Sequence, residues 1–117
     1  MKYKIVYLKD KYVDMVDVYP QLVDLLYTRQ NNTYETKQVE LIFKPLGEEK
    51  EKLLKSIQQR DDYSYYHGIH QLYNPITEDK VTLTMNEYDI DVEENGQNHI
   101  IFDKMKAFSK NFYMIMT

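Results

Sequence analysis

A chain of 117 residues, 43% hydrophobic and 29% charged, can build one folded core and has no room for a second. Its formal charge of -4 argues against a direct nucleic-acid binder, which needs a basic face, and is too small for a DNA mimic. With no Cys there are no disulfides or thiolate metal sites, and no run of about 18 apolar residues could span a bilayer. The opening residues 1–8 are too short and too polar for a signal peptide, so a cytoplasmic protein that needs neither cofactor nor membrane is expected. Gly47, Gly68 and Gly96 stand alone, which removes phosphate-cradling loops. Tyr occurs 12 times and Trp not at all. Tyr in such number serves either as a half-buried core residue or as a contact residue offering large area at small entropic cost.

In chain order, residues 3–8 alternate as a strand. Tyr3, Ile5 and Tyr7 point one way and Lys4, Val6 and Leu8 the other, so apolar side chains on both faces predict cover on both sides. Asp10 is placed to cap the next helix. Tyr12, Val16, Tyr19, Val23 and Leu26 recur at helical spacing, opposite Asp10, Asp14, Asp17, Gln21 and Asp24. Pro20 predicts a kink or a fresh helix start within this stretch. Residues 29–33 read as a loop. Residues 37–46 fit a strand through Val39, Leu41 and Phe43 as well as a helix through Gln38, Leu41 and Ile42.

Pro45 and Gly47 end that segment, and a helix follows over 48–59. Its Glu48–Lys52 and Glu51–Lys55 pairs face one another one turn apart, and Leu53, Leu54 and Ile57 supply the buried side. Residues 60–80 are irregular, with turns at Asn74-Pro75 and Thr77-Glu78-Asp79. Residues 81–85 and 88–92 alternate as a hairpin. After a polar break over 93–98, Ile101, Met105 and Phe108 mark a helix, and residues 112–116 form a last strand. The prediction is a single α+β domain, residues 1–117. Its mixed or antiparallel sheet of about four strands is covered by about three helices, in the order β-α-(β/α)-α-β-β-α-β.

Catalytic motifs are missing from this pattern. His67 and His70 could share a helical face beside Asp61 and Asp62, but Gly68 opposes a helix there and no third ligand is suitably spaced. Ser56, Ser64 and Ser109 lack a nucleophile elbow. The paired acids Asp61-Asp62 and Glu93-Glu94 read as turn or loop residues, a context in which such pairs are expected to solubilise. A non-enzyme is therefore expected.

Three stretches resemble the sporulation inhibitor of replication (SirA) family of spore-forming Firmicutes. The first runs through Tyr3-Lys4-Ile5-Val6-Tyr7-Leu8-Lys9-Asp10-Lys11-Tyr12 to Leu22-Val23-Asp24-Leu25-Leu26. The second is Tyr34-Glu35-Thr36-Lys37-Gln38-Val39, continuing to Lys44-Pro45-Leu46. The third is the hairpin, helix and apolar strand over 81–116. The resemblance implies an inhibitor that binds the N-terminal domain of the replication initiator DnaA and hinders its assembly at the origin. By position, the family's contact residues fall on Tyr12, Val16, Gln38 and Leu41. Val16 and Leu41 stand where the family carries aromatics, and Tyr12 and Val16 also lie on the stripe assigned to the core.

Two other functions fit parts of the sequence. One is a phage- or mobile-element-encoded acidic inhibitor of a host nuclease or defence protein, working through Asp10, Asp14, Asp17 and Asp24. The other is a small enzyme or small-molecule-binding domain around His67 and His70.

Overall fold

Alternating residues near both ends of the chain meet in one sheet. The computed structural model describes residues 1–28, 33–96 and 99–116. Among them are β1 (Lys2–Tyr7), β2 (Tyr63–Tyr66), β3 (Ile69–Tyr73), β4 (Lys80–Met85), β5 (Asp89–Glu94) and β6 (Phe112–Met116). Their spatial order is β2-β3-β4-β5-β1-β6, every neighbouring pair antiparallel. The sheet is thus two strands wider than expected, and wholly antiparallel. β1 lies between β5 and β6, pairing Ile5 with Ile90 on one side and with Met114 on the other.

The first face of the sheet is covered by α5 (Glu48–Gln58) and α6 (Ile100–Phe108). Tyr3, Ile5 and Tyr7 of β1 pack there with Val81, Leu83, Ile90, Val92 and Phe112, beneath Leu53, Ile57, Ile101 and Met105. Leu53, Ile57, Ile101 and Met105 are all fully buried, and each contributes about 1.5–3 kcal/mol of hydrophobic transfer free energy. The Glu48–Lys52 pair of α5 closes at 3.7 Å.

The second face carries α1 (Asp10–Val13), α2 (Met15–Val18), a 3-10 turn over Pro20–Asp24, α3 (Leu25–Thr28) and α4 (Thr33–Ile42). Val6 and Leu8 pack there against Val16, Val23, Leu26, Val39, Ile42 and Phe43. The two-sided burial expected of the first strand follows from these two clusters. Over the rest of the sheet the second face is open. It presents Thr82, Thr84, Asp91 and Glu93, with Tyr66, Ile69 and Tyr73 on the outer hairpin.

Several expectations change. The helical stretch after β1 is broken twice, at Asp14 and again at Tyr19, where the backbone turns to φ −125° and ψ 75° before Pro20. Tyr19 thereby leaves the apolar stripe and is exposed, while Val16, Val23 and Leu26 stay buried. Asp10 is the first helical residue and not the cap; Lys9 precedes it and no side chain caps α1. Residues 33–42 are helical, and only Phe43 makes an isolated bridge, to Leu8. Thr33 opens that helix, and the rest of the expected loop, residues 29–32, lies outside the described residues.

Residues 60–80 hold a regular hairpin, β2–β3, that no alternation announced. Its two-residue turn, His67-Gly68, has φ of 49° and 81°. Positive φ at both central positions is what a type I′ hairpin turn needs, and Gly68 supplies it without a Cβ penalty.

Candidate partner-binding surface

The start of α1 and the end of α4 are tied together by backbone. The Lys9 N–H donates to the Ile42 carbonyl at 2.9 Å, and the Lys44 N–H to the Tyr7 carbonyl at 2.8 Å. Asn111, just before β6, closes the corner. Its side-chain amide donates to the Leu8 carbonyl at 3.0 Å and to the Asp10 carboxylate at 2.6 Å. That bond, helped by the nearby Lys44 and Lys110 ammonium groups, holds the Asp10 carboxyl below the usual carboxylate range.

Around this corner the four positions implied by the resemblance part company. Val16 is 1% exposed and belongs to the core of the second face. It therefore cannot touch a partner without unpacking that core, so the core assignment prevails over the contact assignment at this position. Tyr12 is half-buried against the same cluster, its ring 5.8 Å from the Lys11 ammonium. Gln38 is half-buried on α4. Leu41 is 60% exposed, an aliphatic side chain left in solvent while its neighbours Val39 and Ile42 are buried.

Tyr34 completes a stripe that the sequence reading passed over. Positions 34, 38 and 41 are spaced by four and three, so Tyr34, Gln38 and Leu41 share one side of α4. Tyr34 is 72% exposed. The i, i+4, i+7 spacing was present in the sequence, but it becomes a signal only once 33–42 is known to be helical.

The other candidate residues do not form sites of the kind imagined for them. His67 is in the hairpin turn, edge-on to Tyr66 with ring centroids 4.0 Å apart. His70 is on the opposite face of the hairpin, hydrogen-bonded through Nδ1 to the Tyr63 hydroxyl at 2.8 Å and packed on Tyr65. The imidazoles therefore engage different rings and do not converge. A groove of about 350 Å3 on the open sheet face is lined by Lys2, Lys4, Ile69, Thr82, Thr84 and Asp91, among others, and by neither histidine. Asp14, Asp17 and Asp24 are exposed, but Asp10 is held by Asn111 within a lysine-rich corner, so the four do not make one acidic stripe.

Fold and surface together define an α+β domain with a six-stranded antiparallel sheet and a partly apolar helix flank left in solvent. Comparison with protein-family models and with curated proteins finds no match for this chain. Among the described residues no helix is long and apolar enough to cross a membrane.

Proposed function

We propose that this chain is a non-enzymatic, SirA-like protein-binding module that inhibits replication initiation by binding the N-terminal domain of the initiator DnaA. The supporting observation is the stripe Tyr34, Gln38 and Leu41 on α4, with Tyr34 and Leu41 far more exposed than their core-facing neighbours. An aromatic and an aliphatic anchor flanking an amide, on a rigid helix, is the composition of a protein contact centre. Tyr12, half-buried on α1, packs against the core beneath. Val16 contributes only by holding α2 against the sheet.

A stable complex of this kind covers roughly 800 Å2 of each partner. The test is titration of purified initiator N-terminal domain with the wild-type chain, the Tyr34→Ser/Leu41→Ser double variant and, as a control on the open sheet face, Ile69→Ser. Wild type and control are expected to bind alike, and the double variant about tenfold or more weaker. Undiminished binding by the double variant would remove the α4 site, and no binding by wild type would remove the partner.

A further inference from the structure

The corner that joins β1, α1, α4 and β6 gathers positive charge on a chain whose net charge is negative. Lys9 and Lys11 flank Asp10 in sequence. The Lys44 backbone is bonded to Tyr7, two residues before Lys9. Lys110 precedes Asn111, whose amide reaches both Leu8 and Asp10, and the Lys106 ammonium donates to the Lys110 carbonyl at 3.2 Å. Both Lys44 and Lys110 are close enough to act on the Asp10 carboxylate.

Lys44 and Lys110 therefore act on one carboxylate, Lys9 and Lys11 flank it in sequence, and Lys106 joins through the Lys110 carbonyl, with Asp14 a turn further along. Lys11, Lys106 and Lys110 are exposed, and Lys9 and Lys44 half-exposed. None of the five is in an ion pair among the described residues. Lys44 and Lys106 lie over the rings of Tyr7 and Phe102, at 5.2 and 5.6 Å from the ring centres, which orients them without neutralising them. Since the whole chain sums to -4, the rest of the surface is strongly acidic.

We infer that this lysine corner is a recognition surface for a carboxylate-rich segment of a protein partner, continuous with the Tyr34–Leu41 stripe. It rests on the α4 contact proposed above and adds the chemistry of the partner. Leu41 is one residue from Ile42, whose carbonyl holds Lys9, so one partner can cover the apolar stripe and the lysines together. An acidic protein segment is favoured over nucleic acid because a chain of net charge -4 repels a long polyanion over most of its surface, whereas a short acidic segment meets the lysine corner alone. Complementary charge of this kind acts chiefly on association rate and register.

The experiment maps amide shifts of the isotopically labelled full chain with three probes: decaglutamate, a short single-stranded DNA and phosphatidylserine vesicles. Each is run at about 20 mM and about 200 mM salt, which spans strong and weak screening. Decaglutamate is expected to shift residues 9–11, 44 and 106–110, with at least tenfold weaker binding at the higher salt. The Lys9→Glu/Lys11→Glu/Lys110→Glu variant, shown to be folded by circular dichroism, is expected to lose those shifts. Shifts that are absent or centred elsewhere overturn the inference. So does saturation by DNA or vesicles at lower concentration than by decaglutamate, which would assign the corner to that other class of ligand.

The two proposals fail separately. Equal association rates of wild type and the triple lysine variant with the initiator domain would overturn the lysine surface and leave the α4 contact standing. Lysine-centred decaglutamate shifts, in a chain that does not bind the initiator domain, would keep the surface and discard that partner.

Discussion

Single side chains do the capping and corner work that the local sequence leaves undone. His99 stands at the start of α6 but makes no capping bond. Its place is taken from the sheet, where the buried Glu94 carboxyl accepts from the Ile101 N–H at 3.1 Å and from the Tyr3 hydroxyl at 3.0 Å. The Tyr3 oxygen in turn accepts from the Phe102 N–H at 3.3 Å. Burial, with the Glu94 carboxyl beside it, pushes the Tyr3 hydroxyl well above the usual phenol range. Replacing Glu94 with Ala strands a buried hydroxyl and a helix N–H together. A loss of roughly 2–4 kcal/mol is expected by urea denaturation, with Glu94→Gln clearly milder because it keeps an acceptor. His70 makes a pH prediction. Burial, aided by Lys50, lowers its affinity for a proton below that of an ordinary imidazole. Its neutral form is therefore the one the fold favours. The stability so gained is complete above the unfolded value, about pH 6.5, and is lost as pH falls through the depressed folded value. Denaturation midpoints of wild type are expected to drop across that acid window, and those of His70→Gln to drop less.

At the scale of elements, the hairpin and α4 show what local pattern can and cannot reveal. β4, β5, α5 and α6 were legible because each has one clearly dry side, and β1 and β6 because they are short apolar runs covered on both faces. The β2–β3 hairpin was not, because tyrosines fall on both of its faces: Tyr63 and Tyr65 beside His70, Tyr66 beside Ile69. All five named side chains are partly or largely in solvent, so no apolar–polar alternation is required of them. Only the positive-φ pair His67-Gly68 carried a signal, and His at the first position disguised it. Gly68→Val is expected to cost about 1–2 kcal/mol, and His67→Asn to stabilise slightly, in thermal or urea unfolding. In α4 the ambiguity had another cause: Val39, Leu41 and Phe43 suit a strand and Gln38, Leu41 and Ile42 a helix, and Leu41, common to both, is exposed and contributes nothing to the core. Val16 and Leu41 give a matched contrast. Val16→Ala is expected to destabilise by roughly 1–3 kcal/mol without altering any surface contact, whereas Leu41→Ala leaves stability within about 0.5 kcal/mol.

For the whole molecule, the decisive asymmetry is that the sheet is wider than its second helical layer. α1 to α4 cover the C-terminal half of β1, β6 and the Asp89 end of β5, and the rest of the sheet turns Thr82, Thr84, Asp91 and Glu93 toward water on that side. The Cα radius of gyration, 15.0 Å, exceeds the roughly 13 Å usual for this length, as a one-sided hairpin extension requires. Opening should follow the same gradient. Native-state hydrogen exchange is expected to find the β1 amides slowest, because both neighbours and both faces protect them, and the β2–β3 amides fastest among the strands. Sequence composition had announced the acidic average but not its separation into a lysine corner and an acidic remainder. That separation depends on Lys44 and Lys110 coming to the same place from segments far apart in the chain.

The central position of β1 has a temporal consequence. Its partners are residues 89–93 and 112–116, so the strand made first waits for nearly the entire chain before either neighbour exists. Pairings of such long sequence separation make refolding slow, on the order of milliseconds to seconds. During synthesis, the apolar side chains of residues 3–8 are available to chaperones until the last strand has left the ribosome.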